Sequence, residues 1–428
     1  MDSELLSYAE ALERVAAEIV RAMEDGSAAR LAWSDWVELG EARGRILAQR
    51  ILADRDLPPF ARSTRDGFAL RAGDLKNDGS ETELVIAGTT RAGEAASELP
   101  ANTAWEILTG APMPRGADAV LMQEHAMVSD GVVRFQRVVK AGENLVAQGA
   151  EAKAGALLLE AGTQMGAAEL GLAASCGYTK IRVRTRPRVL ILTTGDELVE
   201  PHELPAAGQI RNSNGTILSA LAEEAGAVGI QLPTARDERT ALDAAIEGAL
   251  KRAEEIEKSA PVMLVIAGGV SVGRFDLVEA ALVRRGAQFH FTGVRMQPGK
   301  PVVFGEIPLE DGWLKFFGLP GNPVSAAVTF RLFAEPLLRA LAGVKERATR
   351  FMPAKLAGAW KGNPGLTRFL PAVCEVGMGE ELELPSVRLC EWQGSGDLAA
   401  FARGNCLLMI PAEAGEIAAG EVVRILMR

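Results

Sequence analysis

Three times between residues 190 and 330 the chain sets small, polar and acidic residues directly after a short apolar run. The clearest case is Val262-Met-Leu-Val-Ile266 running into Ala267-Gly268-Gly269-Val270-Ser271-Val272-Gly273-Arg274-Phe275-Asp276. Five consecutive apolar residues fit a strand buried on both faces. The glycines after it leave backbone N–H groups able to surround an anion, and Asp276 opens a helix over 277–284. A second such loop is Thr193-Thr194-Gly195-Asp196-Glu197, followed by Gln209 to Asn214 ahead of a helix. A third is Leu319-Pro320-Gly321-Asn322-Pro323-Val324-Ser325. Ligands of open α/β sheets sit at the carboxyl ends of the strands, so three loops in register there would line one pocket. Its binding groups would be Thr194, Gly195 and Asn214, then Gly268, Gly269, Ser271 and Gly273, and finally Pro320, Gly321, Asn322 and Ser325. Taken singly, each loop reads as ordinary punctuation. The glycine run matches neither G-x-x-x-x-G-K-[ST] nor G-x-G-x-x-G, which weakens ATPase and dinucleotide readings.

Carboxylates gather in the same region at Asp196, Glu197, Asp237 and Asp276. Carboxylates facing phosphates call for Mg²⁺ between them, with Glu197, Asp237 and Asp276 as its candidate holders. A helix N-cap is the competing role for Asp276, and a turn cap for Asp196. Lys300, set between Pro298-Gly299 and Pro301, suits an oxyanion as a point charge; a solvated surface lysine is the alternative. Two segments nearer the N-terminus, Ser63 to Ala69 and Ile107 to Pro114, could approach a second ligand or simply form β-turns. Gln393 to Leu398 is either another anion site or a loop with Asp397 as N-cap.

The elements that must carry these loops follow from periodicity. With 428 residues, 48% of them hydrophobic, the chain is long enough for several domains with their own cores. Its net charge of −10 argues against general nucleic-acid or membrane-surface binding. No apolar run is long enough to span a bilayer, and the start is acidic without a signal-peptide pattern. Cys176, Cys374, Cys390 and Cys406 are scattered, so reduced thiols and a cytoplasmic location are expected. Leu5, Tyr8, Leu12, Val15 and Ile19 predict a first helix, and a second is predicted from Ser34-Asp35 towards Leu47. Short strands and turns fill 60–149, strands alternate with helices over 186–342, and a glycine-rich β-barrel or sandwich is predicted after 343.

Taken together, these segments resemble the molybdopterin molybdenumtransferase family, to which the gephyrin C-terminal domain belongs. The matching stretches are Asp66 to Ala69, Leu108 to Glu124, Gly142 to Asn144, Thr194 to Leu198, Gly208 to Asn214, Gly268 to Gly273, Pro298 to Pro301, Leu319 to Ala326 and Gly394 to Ala399, in the family's order. The resemblance implies a multi-domain α/β plus β fold. Its parts are a helical N-terminal segment (1–56 and 150–185), an inserted β-rich domain (57–149), a central three-layer α/β molybdopterin-binding domain (186–342) and a C-terminal β-barrel (343–428). It also implies an elongated homodimer whose cleft joins the α/β domain of one subunit to the inserted domain of the other. The implied activity is Mg²⁺-dependent insertion of molybdate into adenylylated molybdopterin with release of AMP, with a molybdopterin adenylyltransferase as a partner. The rival readings are a molybdopterin adenylyltransferase, which the α/β part alone also resembles, and a non-catalytic scaffold.

By the same resemblance, Asp66, Thr109, Glu197, Asp237, Asp276 and Lys300 fall at positions the family uses. Glu151 falls at another, where Asp is commoner. Three stretches depart from the pattern. Ala61-Arg-Ser-Thr-Arg-Asp-Gly-Phe68 carries two extra arginines, Leu145-Val-Ala-Gln148 lacks the arginine usual after Gly-Glu-Asn, and Gln297 stands where lysine is common. Compensation between these charges across the cleft is expected.

Overall fold

Buried apolar strands with small residues at their ends make the centre of the molecule, a computed structural model that describes residues 5–24, 33–75, 80–269, 277–344, 349–375 and 383–428. The first helix is α1 (Tyr8–Glu24). The central unit then runs β1 (Arg188–Thr193), α2 (Ser213–Glu224), β2 (Val228–Gln231), α3 (Arg239–Glu257), β3 (Val262–Ala267), α4 (Leu277–Arg284), β4 (Gln288–Phe291), β5 (Val303–Leu309), β6 (Gly312–Leu319), α5 (Pro323–Thr329) and α6 (Glu335–Leu341). A π-helical turn, Phe330–Ala334, joins α5 to α6. The sheet order is β2-β1-β3-β6-β5-β4, parallel from β2 to β6 and antiparallel beyond.

Alternation along the strands makes this unit three-layered. Val189, Ile191, Met263, Val265 and Phe317 face α2, α5, α6 and the π-turn. Leu190, Leu192, Leu264, Ile266 and Phe316 face α3 and α4. The first core also contains Tyr8, Ala11, Val15 and Ile19. Helix α1, expected with residues 150–185, thus packs on the α/β unit. Glu18 of α1 is 3% exposed and accepts a hydrogen bond from Lys315 Nζ on β6 at 2.5 Å. The same ammonium bonds Glu306 on β5, so two buried carboxylates share one cation.

The helix predicted from Ser34 towards Leu47 is absent. Ser34–Glu38 is a strand antiparallel to Lys180–Arg184, followed by a short 3-10 turn over Leu39–Ala42. Trp36 and Val37 suit a strand, Lys180 pairs with Glu38 at 2.8 Å, and Gly44 takes a left-handed φ of 75°. A partner about 145 residues downstream, invisible to local periodicity, decides this segment. Leu157–Leu159 pairs with Ile51–Leu52, and the helix in the returning stretch is Ala167–Ser175.

The inserted part is a six-stranded sheet in the order 119–122, 67–70, 103–107, 82–90, 132–135, 127–129. Beyond the α/β unit, strands Met352–Leu356, Ser386–Leu389, Thr367–Glu375, Cys406–Ile410 and Val422–Met427 pair in turn and close a five-stranded barrel. Met296–Gln297 adds to its Thr367–Glu375 strand and ties barrel to α/β unit.

Phe304 is fully buried and stacks on Phe317 with centroids 4.5 Å apart. Phe304→Ala should lower denaturant-unfolding stability of this unit by about 3–5 kcal/mol. An unchanged midpoint would refute the packing described.

Candidate active site

The carboxyl ends of β1, β3 and β6 lie in register, and their loops touch. Thr194 N–H donates to the Ala267 carbonyl at 2.9 Å, and Gly268 N–H to the Leu319 carbonyl at 3.1 Å. Gly268 has φ 103°, and a Cβ there would lie 2.5 Å from the Thr194 carbonyl oxygen, so only glycine fits. A Cβ on Gly321 would come 3.6 Å from the Gly268 Cα. Asn214, at the start of α2, donates from Nδ2 to the Gly321 carbonyl at 2.7 Å, while its Oδ1 is buried without a partner among the described residues. These bonds unite Thr194, Gly195, Asn214, Gly268, Gly269, Pro320 and Gly321 at one sheet edge. Ser271, Gly273 and Asp276 lie outside the described residues.

Many loop N–H groups expected to meet an anion are instead used between loops. Gly195 N–H donates to the Ala235 carbonyl at 3.1 Å. Val324 N–H, at the start of α5, donates to the Ser395 carbonyl at 3.1 Å, and Asn322 Nδ2 donates to Ser395 Oγ at 2.9 Å. The barrel segment 393–398 therefore clasps the third loop, next to buried Ser325. In that segment Asp397 is an N-cap, accepting from Ala400 N–H at 2.9 Å and Gln393 N–H at 3.0 Å, and these bonds lower its pKa.

Acidic groups accumulate at the mouth. Asp237 follows β2, and its N–H donates to Asp196 Oδ1 at 3.2 Å. Although the residue is exposed overall, partial burial of its carboxyl raises the pKa, and the charges of Asp196 and Glu197 raise it further. The Thr194 hydroxyl is buried without a partner at bonding distance among the described residues, yet near enough to Asp237 to offset part of that rise. Asn212, which the sequence analysis passed over, donates to Thr193 Oγ1 at 2.8 Å and Thr234 Oγ1 at 3.2 Å, bracing the strand ends beneath the acids. Its signal was available in the polar run before α2, where it is the N-cap.

Lys300 belongs to the same edge. Val303 of β5 opposes Gly318 of β6, so the turn entering β5 sits beside the loop leaving β6. The Lys300 side chain is exposed and makes no hydrogen bond or ion pair with any described residue. Glu18, His290 and Glu306 are the described donors that cluster within 4.8 Å, but there the Lys315 ammonium already takes a cation's place.

On the inserted sheet, Thr109 donates to Asp66 Oδ1 from its N–H at 2.6 Å and its hydroxyl at 2.8 Å. Those two bonds hold the Asp66 pKa below the usual carboxylate range. Gly67 follows because a Cβ there would lie 2.0 Å from the Leu121 carbonyl oxygen. Neither Asp66 nor Thr109 bonds a described residue of the α/β unit.

Three regions of the chain match known family descriptions: residues 6–177 the "MoeA N-terminal region (domain I and II)", 190–340 the "Probable molybdopterin binding domain", and 353–427 the "MoeA C-terminal region (domain IV)". A molybdopterin molybdenumtransferase of Haemophilus influenzae is 34% identical over 395 residues, 92% of this chain and 93% of its own. The chain belongs to the molybdopterin molybdenumtransferase family. One from Nostoc is 36% identical over 318 residues, 72% of this chain and 69% of its own. The crystal structure of a molybdopterin biosynthesis moeA protein from Pyrococcus horikoshii superposes with a TM-score of 0.79 at 27% identity, covering 99% of this chain and 100% of that one.

Departures from the molybdopterin molybdenumtransferase pattern now have local explanations. Gln297 Oε1 accepts from Arg368 Nε at 3.1 Å, a position where a lysine would repel the guanidinium. Arg62 pairs with Glu151 at 3.2 Å across an exposed surface, so this arginine answers a neighbour on its own chain. Leu145–Val146 pairs with Arg62–Ser63 as a short ladder. No such account emerges for Arg65.

Two outcomes follow. Asp237 holds its proton more tightly when folded, so its charge costs stability above the folded pKa. Asp237→Asn should raise the melting temperature at pH 7 by about 1–2 °C, with the gain vanishing below the carboxylate range. A lower melting temperature at pH 7 would contradict the repulsion. Thr109→Val, which removes the hydroxyl bond and keeps the N–H bond, should bring the Asp66 pKa, followed by NMR, part of the way back up towards the usual carboxylate range; an unmoved titration would show that the hydroxyl bond does not contribute.

Proposed function

We propose that this chain inserts molybdenum into adenylylated molybdopterin, with AMP as the leaving product. The observation that carries the reading is the pairing, at one sheet edge, of an under-neutralised acid cluster with an unengaged lysine. The loops carrying Thr194, Gly268 and Gly321 hold the substrate between them. The pyrophosphate bond breaks with addition of one water, leaving AMP and the phosphate of molybdopterin. The dithiol of molybdopterin forms two sulfur bonds to molybdate's metal as one oxygen of molybdate leaves as water with the two thiol protons, the metal keeping its oxidation state.

Oxygen-only donors and a carboxyl whose proton affinity is raised by neighbouring carboxylates fit a hard divalent cation. Glu197 and Asp237, with Asp276, would hold Mg²⁺, which supplies fixed positive charge against the phosphates. Lys300 binds the anionic oxygens of molybdate or phosphate as a point charge. Asp237 orients the water and takes its proton. The buried Thr194 hydroxyl and Asn214 Oδ1, both without a partner among the described residues, mark where polar substrate groups dock. Asp66, kept ionised by Thr109, serves from the inserted sheet. The pair bonds no described residue of the α/β loops of its own chain, which supports a reading in which one substrate meets both sets across a homodimer cleft. A molybdopterin adenylyltransferase is the enzyme whose product this cleft accepts, and a cytoplasmic setting with reduced, buried cysteines is consistent with that chemistry.

AMP release from adenylylated molybdopterin should require both molybdate and Mg²⁺; release with neither, or consumption of ATP with free molybdopterin, would overturn the reading. Lys300→Ala should lower the rate about 10²-fold or more with the fold retained. Mixing Asp66→Asn with Lys300→Ala subunits should restore about a quarter of wild-type activity if sites are shared between subunits, and none if each chain works alone.

A further inference from the structure

A cavity of about 420 Å³ opens at the other end of the α/β unit, lined by Arg43, Arg45, Arg184, Arg186 and Arg339. It lies at the amino end of β1, about 17 Å along that strand from the Thr193–Glu197 loop. Five separate parts of the chain build it: the turn after Leu39–Ala42, Gln164, the link from Lys180–Arg184 into β1, and the C-terminal ends of α2 and of α6. The link is a run of alternating basic residues, Lys180, Arg182, Arg184, Arg186 and Arg188, which extended backbone places on one face.

Helix ends account for only part of this set. Arg186 donates to the Gly226 carbonyl at 3.4 Å and to the Ala227 carbonyl, beyond the end of α2. Arg45 donates to Asp35 and to the Arg184 carbonyl, both at 3.0 Å, but its Nε is buried without a partner among the described residues. Arg43, which ends the short 3-10 turn Leu39–Ala42, bonds no described side chain. Burial and then the charge of Arg45 lower the pKa of Arg186, as like charges forced together require. Of the acids at the cavity, Glu224 is already tied to Arg331. On the wall itself five arginines stand beside Glu41, Glu223 and Glu224, while just behind it Asp35 holds Arg45 at 3.0 Å and Glu335 lies 3.7 Å from Arg339, so the excess of positive charge is small.

We propose that this cavity binds a small phosphate monoester with a hydroxyl-bearing body, at a site separate from the reaction centre. The guanidinium groups take the phosphate through forked hydrogen bonds. Glu41 and Glu223 accept protons from hydroxyls, which disfavours a bare anion and selects a sugar-phosphate type of ligand. The volume suits a molecule of that size.

Calorimetric titration of the purified full chain with ribose 5-phosphate, inorganic phosphate and ribose tests this. Ribose 5-phosphate should bind, inorganic phosphate more weakly, and ribose not at all. The double variant Arg43→Ser/Arg339→Gln should weaken the ribose 5-phosphate affinity at least about tenfold, while AMP release stays as in wild type and unliganded melting falls only slightly, from the loss of the Arg339–Glu335 pair. If the double variant folds poorly, Arg43→Ala alone, at an exposed residue that bonds no described side chain, should still weaken binding severalfold. Binding unaltered by these changes, binding lost instead in Lys300→Ala, inorganic phosphate binding as tightly as the ester, or no binding of any probe would each overturn the proposal.

Discussion

Everything at the candidate active site hangs on the lack of a side chain at Gly268. There the ends of β1, β3 and β6 come so close that a Cβ would press into the Thr194 carbonyl at 2.5 Å, while Gly321 approaches from the other side. This contact is possible because three buried parallel strands stop at the same level. Bulk at this point would separate Asn214 from the Gly321 carbonyl and pull the third loop off the barrel segment that clasps it. The positions of the acids and of Lys300 are downstream of that packing.

The electrostatics at this edge run against stability. Asp196, Glu197 and Asp237 crowd together in a protein that is already acidic, and the effect is visible in the raised proton affinity of Asp237. Asp66 shows the opposite arrangement, with two donors from Thr109 keeping it ionised. One fold thus maintains carboxylates of different character on two separate sheets. Such a division is useful where one acid must handle a proton and another must stay charged.

Much of this was legible in order along the chain. The strand 262–267 and its glycine loop announce themselves through an apolar run ending in residues without bulk, whereas the strand Val228–Gln231 that precedes Asp237 carries no such run. What escaped depends on partners far away. Ser34–Glu38 becomes a strand only because Lys180–Arg184 is there to receive it. Gln297 makes sense only beside Arg368, seventy-one residues on, and the Ser395 clasp only once the barrel is in place. Local patterns report what a segment prefers; long-range pairings decide what it is allowed.

The buried tie between Glu18 and Lys315 has a consequence for how the chain is made. Its partners are 297 residues apart, so at ordinary synthesis rates of about 5–20 residues per second α1 leaves the ribosome about 15–60 s before β6 exists. Throughout that interval the face carrying Tyr8, Ala11, Val15 and Ile19 has no core to enter. Helix α1 is made long before it can be seated, and a nascent chain of this protein needs shelter for it throughout that wait.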